Sequence, residues 1–166
     1  MSADLTLHAA CSALLEREGL DPAHAARLCR MLARAEDRQL DAGEVLFVEG
    51  EPGETAAILV EGSVRVTSLD ARGAPRELAI LKAPMMLGHV TMVDTATRSA
   101  TVKTLGPVRC ISISRATYET WVNTDGLDGD LFRDLILGCM FRQLARSTED
   151  LSRLTFLSND DPVDVG

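Results

Sequence analysis

The chain opens on a helical spacing of apolar residues. In LHAACSALLEREGL, Leu7, Cys11, Leu14 and Leu15 fall on one face, which predicts an amphipathic helix. Gly19 ends it. Asp21-Pro22 then predicts a second helix, with a capping carboxylate followed by proline at the first helical position. Leu28, Met31, Leu32 and Ala35 supply its buried stripe. Near Leu40 the period changes. In LDAGEVLFVEG, Leu46 and Val48 alternate with Val45 and Phe47, and the run ends in the turn-rich EGEPGE. AAILVEGSVRVTSL follows, with Ile58, Leu59 and Val60 ahead of Gly62 and alternation through Val64 and Val66. DARGAPR reads as a turn, and ELAILK, TVKTL and VRCISIS read as further strands. Short strands between Gly, Pro and Asp turns predict an antiparallel barrel, sandwich or roll.

After CISIS the helical period returns. Ser114 is placed to cap RATYETWV, and residues 123–129 form a break. A long helix is predicted over about 130–154. Within it Leu137, Leu144 and Leu151 recur every seven residues, and Met140, Ser147 and Leu154 follow three after each. This a/d spacing predicts a helix seam and a homodimer; the same face could instead lie on the strands. The tail, SNDDPVDVG, is acidic and polar and is expected to fray.

Composition narrows the function classes. The 166 residues are 46% apolar and 25% charged, which suits a globular domain with a core. Aromatic residues are only 4%, so that core is mostly aliphatic. A net charge of -8 without a basic run disfavours DNA and anionic membranes as partners. Cys11, Cys29, Cys110 and Cys139 form no metal-binding spacing and read as reduced thiols. The N-terminus lacks the basic leading region of a signal peptide, and no apolar run reaches membrane-span length. A cytoplasmic protein is expected. G-x-S-x-G, H-E-x-x-H and P-loop patterns are missing, so enzyme activity is not expected. His8 and His24 read as helix-surface residues.

One stretch, LGHVTMVDTATRSATVKT, has the parts of an anion pocket. Gly88 lets the chain turn and lets a ligand approach backbone closely. VTMVD can form one short helix whose positive end lies near Gly88 and His89. Arg98 can act as a bidentate phosphate fork, and Ser99 can add a donor. The plainer reading is a surface turn carrying a solvated arginine.

Residues 38–122 resemble the cyclic nucleotide-binding domain family. The likeness is carried by LxxGExLF from Leu40 to Phe47, the turn GEPGE, the segment ILVEGSVRV, and Gly88 followed by RSATV at 98–102. It implies an α+β, mainly β fold: an antiparallel β-roll of the jelly-roll type, flanked by N-terminal helices and a long C-terminal helix. The expected division is 1–37 helices, 38–122 roll, 123–156 C-terminal helix and 157–166 tail. It also implies a site in which Arg98 and Ser99 take the cyclic phosphate, while Gly88 and the backbone around Val90 and Thr91 line the ribose-phosphate. No obligatory cofactor is implied; cAMP or cGMP would be the ligand. In the family a glutamate follows the glycine and accepts from the ribose 2′-hydroxyl, and here that position is His89. The preceding proline-glycine-aspartate turn of the family is Ala83-Pro84-Met85. Losing a charged hydrogen bond costs on the order of 1.5–3 kcal/mol, roughly ten- to a hundredfold in affinity.

Three readings of His89 stay open. It weakens an ordinary cyclic nucleotide site; as imidazolium it joins Arg98 in holding a more anionic ligand; or it is a structural residue under a closed pocket. The functional expectation is a stand-alone regulatory module signalling through its C-terminal helix. The alternative is a ligand-free protein-interaction module. Many bacterial members of the family carry a winged helix of about sixty residues or more after the long helix. Only a short acidic segment follows Leu154 here, so direct DNA binding is not expected.

Overall fold

The computed structural model describes residues 2–158, and side-chain surroundings for residues 5–148. The acidic tail and the side chains of Leu151 and Leu154 lie outside those described residues. Helix α1 (Ser2–Arg17) buries Leu7, Cys11, Leu14 and Leu15, the face its spacing indicates. It ends at Gly19, which takes φ +78°, with the Leu20 N–H closing back on the Leu15 carbonyl at 2.8 Å. The Asp21 carboxylate accepts from the Ala23 N–H and starts a single 3-10 turn, Pro22–His24; helix α2 (Ala25–Leu32) follows. Ala35 lies beyond the end of α2 and still packs on the core.

Eight strands then make two four-stranded antiparallel sheets. They are β1 (Glu36–Leu40), β2 (Val45–Phe47), β3 (Thr55–Glu61), β4 (Ser63–Leu69), β5 (Pro75–Lys82), β6 (Met85–Leu87), β7 (Thr101–Thr104) and β8 (Val108–Ser114). Helix α3 (His89–Asp94) interrupts them between β6 and β7. One sheet has the order β1-β8-β3-β6 and the other β2-β7-β4-β5. This is the α+β, mainly antiparallel roll expected from the sequence.

The first sheet is covered on both faces, which explains the unbroken apolar run of β3. Ala56, Ile58 and Val60 join Ile111 and Ile113 of β8 against the helices. Ala57 and Leu59 join Cys110 and Val108 inside the roll, with Phe47, Val64 and Val102 of the second sheet. A strand buried on both faces carries no polar alternation.

Two local expectations need correction. β1 occupies 36–40, beginning in a stretch expected to be helical; EDRQL has one apolar residue, and its pairing with β8 from Glu36↔Ser112 to Leu40↔Val108 sets it as a strand. The alternation expected in β2 is broken by a register shift between Val45 and Phe47, so Leu46 and Phe47 both turn inward while Val45 and Val48 are exposed. β6 is a strand that the sequence pattern left unassigned; Met85, Met86 and Leu87 pair with β3.

Ser114 caps helix α4 (Arg115–Val122), accepting from the Thr117 N–H. Helix α5 (Leu127–Ser158) starts three residues earlier than the spacing suggests, with Asp128 and Asp130 in its positive first turn. Leu131, Phe132, Leu135, Ile136 and Cys139 dock it on the core. Leu137 and Leu144 of the expected seam point outward, together with Phe141, whereas Met140 packs partly against the core. No described helix is long and apolar enough to cross a membrane.

Candidate functional site

The site is built around one buried cation. Arg98 is only 6% exposed and follows Thr97, which bridges to Pro52 in the loop after β2. Its backbone is clamped to that loop: the Arg98 N–H donates to Glu51 O at 2.8 Å, and its carbonyl accepts from the Gly50 N–H at 2.9 Å. The guanidinium lies over the Phe47 ring, 3.9 Å from the centroid. Nη1 donates to Thr91 Oγ1 at 2.7 Å and to the Gly88 carbonyl at 3.3 Å. Nη2 donates to the Thr55 carbonyl and, at 3.3 Å, to Thr55 Oγ1. Burial lowers the Arg98 pKa, nearby Arg115 adds to this, and Glu51 and Glu54 oppose it. An arginine stays charged under such a shift.

Both terminal nitrogens of Arg98 thus already have partners, and an incoming anion must take over some of their donors. The partners most affected sit at the start of α3. Gly88 caps that helix at φ +70°, and Thr91 Oγ1 donates back to the Gly88 carbonyl at 3.1 Å. Arg115 holds the same helix from α4, donating to the carbonyls of Gly53, Thr91 (3.0 Å) and Met92 (3.4 Å). Gly53 is required there, because a Cβ would lie 2.2 Å from Thr91 Oγ1. An anion drawing on these Arg98 donors would therefore act directly on the hydrogen bonds that fix α3.

His89, the first residue of α3, is 6% exposed, and neither ring nitrogen has a hydrogen-bond partner. Leaving buried polar atoms unmet costs about 1–3 kcal/mol each. Burial pushes its pKa below the ordinary imidazole value; Glu18 of α1 and a polar contact with the Cys139 backbone of α5, short of hydrogen-bond geometry, act in the opposite direction. The ring is therefore neutral near pH 7, with one donor and one acceptor to offer.

This sets a pH dependence with a definite sign. The unfolded chain takes up the proton near pH 6.5, and the folded chain only at lower pH. Stability is thus full above about 6.5 and falls as pH drops through the lowered folded-state value. An anion beside His89 would favour the imidazolium, so anion affinity is expected to rise over the same window. Melting temperature and nucleotide affinity, followed from pH 8 to 5.5, are expected to bend in the wild type and not in His89→Asn. Superimposable curves for the two proteins would remove His89 from the electrostatics of the site.

A cavity of about 240 Å³ joins these residues to α5. Gly88, His89, Thr91, Arg98 and Ser99, all singled out in the sequence, line it. Val90 is partly buried and does not. The remaining wall includes Phe47, Glu18, Cys139, Arg142, Gln143 and Arg146, which the sequence reading did not select. Phe47 sits under the arginine because the bulge in β2 turns it inward, and no local pattern announces that. Arg142 and Arg146, one helical turn apart on α5, were the legible signal.

A family model for the cyclic nucleotide-binding domain matches residues 37–125. The CRP-like cAMP-activated global transcriptional regulator of Mycobacterium tuberculosis is 26% identical over 139 residues, 84% of this chain and 59% of that protein. Among solved structures, Thermus thermophilus catabolite activator protein superposes with a TM-score of 0.69 at 21% identity, over 79% of this chain and 60% of the other. The c-di-GMP responsive global regulator CLP of Xanthomonas campestris superposes with a TM-score of 0.68 at 23% identity, over 80% and 65%. At such identities the structural likenesses speak for the fold. The chain spans less than two thirds of the length of each of these relatives.

Proposed function

The chain belongs to the cyclic nucleotide-binding domain family, and from that premise we propose that it is a regulatory module sensing a nucleotide-type anion. The observation that carries this reading is the shared cleft. The residues around Gly88, Arg98 and Ser99 face the same cavity as Cys139, Arg142 and Gln143 of α5. A phosphate on Arg98 competes with Thr91 Oγ1 and the Gly88 carbonyl for Nη1. It thereby loosens α3 while placing the rest of the ligand against α5. A ligand shifts an equilibrium only through contacts that differ between two states, and on this reading the exchanged Nη1 contacts supply that difference. The event then passes along α5, either to a protein partner or to a second copy through the outward Leu137 and Leu144. The role is regulatory rather than catalytic, and the setting is cytoplasmic. cAMP, cGMP and larger nucleotides are the candidate ligands. The Mycobacterium relative is named for activation by cAMP and the Xanthomonas neighbour for its response to c-di-GMP.

A second reading, a ligand-free interaction module, draws on a different observation. Arg98 is already engaged by protein acceptors, and Leu137, Phe141 and Leu144 form an exposed apolar stripe. Thermal-shift measurements against cAMP, cGMP, cyclic dinucleotides and linear nucleotides separate the two. The sensor predicts a ligand-dependent rise in melting temperature that Arg98→Ala abolishes, through an affinity loss of about a hundredfold. No rise with any nucleotide supports the interaction module.

A further inference from the structure

The cleft holds more positive charge than one cyclic phosphate can balance. Three guanidiniums line it, Arg98 from the roll and Arg142 and Arg146 from α5, against the carboxylate of Glu18. That carboxylate is already shared. One oxygen faces Arg142 at 3.1 Å and the other Arg17 at 3.6 Å, and its side chain is only 3% exposed. Glu51 and Glu54 act on Arg98 from a distance, but among the described residues no carboxylate forms an ion pair with Arg98 or Arg146. Like charges one turn apart disfavour a helix, so the spacing of Arg142 and Arg146 does not itself stabilise α5. Arg17 adds to the crowding: burial, Arg146 and Arg142 all hold its pKa below the usual value. In a chain of net charge -8 this concentration of cations is a local feature. The buried, unpartnered His89 ring lines the same cleft.

A 3′,5′-cyclic mononucleotide carries one phosphodiester and one negative charge. Once that phosphate sits on Arg98, nothing anionic is left to face α5. Building on the reading that Arg98 receives a nucleotide phosphate, we infer that the ligand carries two separated phosphates, one at Arg98 and the other at Arg146 and Arg142 of α5. Two chemical sources fit: a cyclic dinucleotide, with two phosphodiesters, and a mononucleotide phosphorylated at both ends of its ribose. Either one spans the roll and α5, relieves the repulsion within the helix, and gives α5 a contact that exists only in the bound state.

Calorimetric titration of the full chain with cyclic di-GMP, adenosine 3′,5′-bisphosphate and cAMP, at one fixed salt concentration, tests this. At least one two-phosphate ligand is expected to bind about tenfold or more tightly than cAMP, as one added charge-assisted contact allows. Arg146→Gln should erase the preference while leaving cAMP affinity within about threefold, and Arg146→Lys should keep part of it. Arg146 is exposed, so the variants fold, which circular dichroism checks. The ligand that binds identifies phosphodiester or phosphomonoester as the second group. Arg98-dependent binding of cAMP as tight as that of both two-phosphate ligands overturns the inference and leaves the sensor intact. A preference surviving Arg146→Gln overturns the assignment to α5. Failure of every nucleotide to bind overturns sensor and inference together.

Discussion

Replacing Phe132 with alanine is expected to cost about 3–5 kcal/mol of stability, lowering the melting temperature by roughly 6–20 °C. Phe132 is fully buried in α5. Its ring meets Trp121 edge-on at 5.1 Å and Tyr118 at 5.7 Å, both from α4. Edge-to-face pairs add about 0.5–1.5 kcal/mol each beyond the area they bury. In a chain with few aromatics, this trio fixes α4 to α5. Phe141, about two and a half turns further along α5 and 69% exposed, is the control: Phe141→Ala should stay within about 0.5 kcal/mol in the monomer. Calorimetry of both variants checks the contrast, and a Phe132→Ala loss no larger than that of Phe141→Ala would mean that α5 is held elsewhere. The consequence reaches the cleft, because Arg142 and Arg146 are carried on the helix that Phe132 docks.

What the sequence disclosed follows from where information is local. Helix α1, the Ser114 cap and the turn at Gly88 are set by neighbouring residues, so spacing and residue type reveal them. β1 was illegible because EDRQL has no periodic apolar signal and becomes a strand only by pairing with β8, some seventy positions away. The cleft divides the same way. Gly88, His89, Arg98 and Ser99 lie within one short segment and can be read as a unit. Phe47, Thr55, Glu18 and the α5 arginines come from distant segments that only the tertiary fold brings together. Met140 makes a related point. Heptad spacing assigns it to an outward seam, yet the helix turns it partly toward the core and exposes Phe141 instead. A face two residues wide is shared between two neighbours, and spacing alone does not say which neighbour takes which residue.

Gly88→Ala is expected to weaken the proposed nucleotide binding severely in a protein that still folds. Two costs are separable. Gly88 holds φ +70°, where an L-residue is strained by about 1–2 kcal/mol. Its missing Cβ also leaves room that the site uses: a methyl would lie 2.6 Å from Arg98 Nη1 and 3.0 Å from two atoms of the Phe47 ring. The guanidinium must then leave its place between Phe47 and α3, losing the geometry that aims it. Affinity should fall about a hundredfold, the worth of a charged hydrogen bond or two. Gly73→Ala supplies the comparison. Gly73 takes φ +78° in the turn between β4 and β5, and a Cβ there meets nothing within 4 Å. It therefore incurs the backbone strain alone, and should lower the melting temperature while leaving nucleotide affinity unchanged. If both variants lose affinity alike, the loss reports general loosening of the roll. If Gly88→Ala binds as well as Gly73→Ala, the ligand does not sit against Arg98. Only a selective loss at Gly88 ties the anion to the space between that glycine, the arginine and the phenylalanine beneath it.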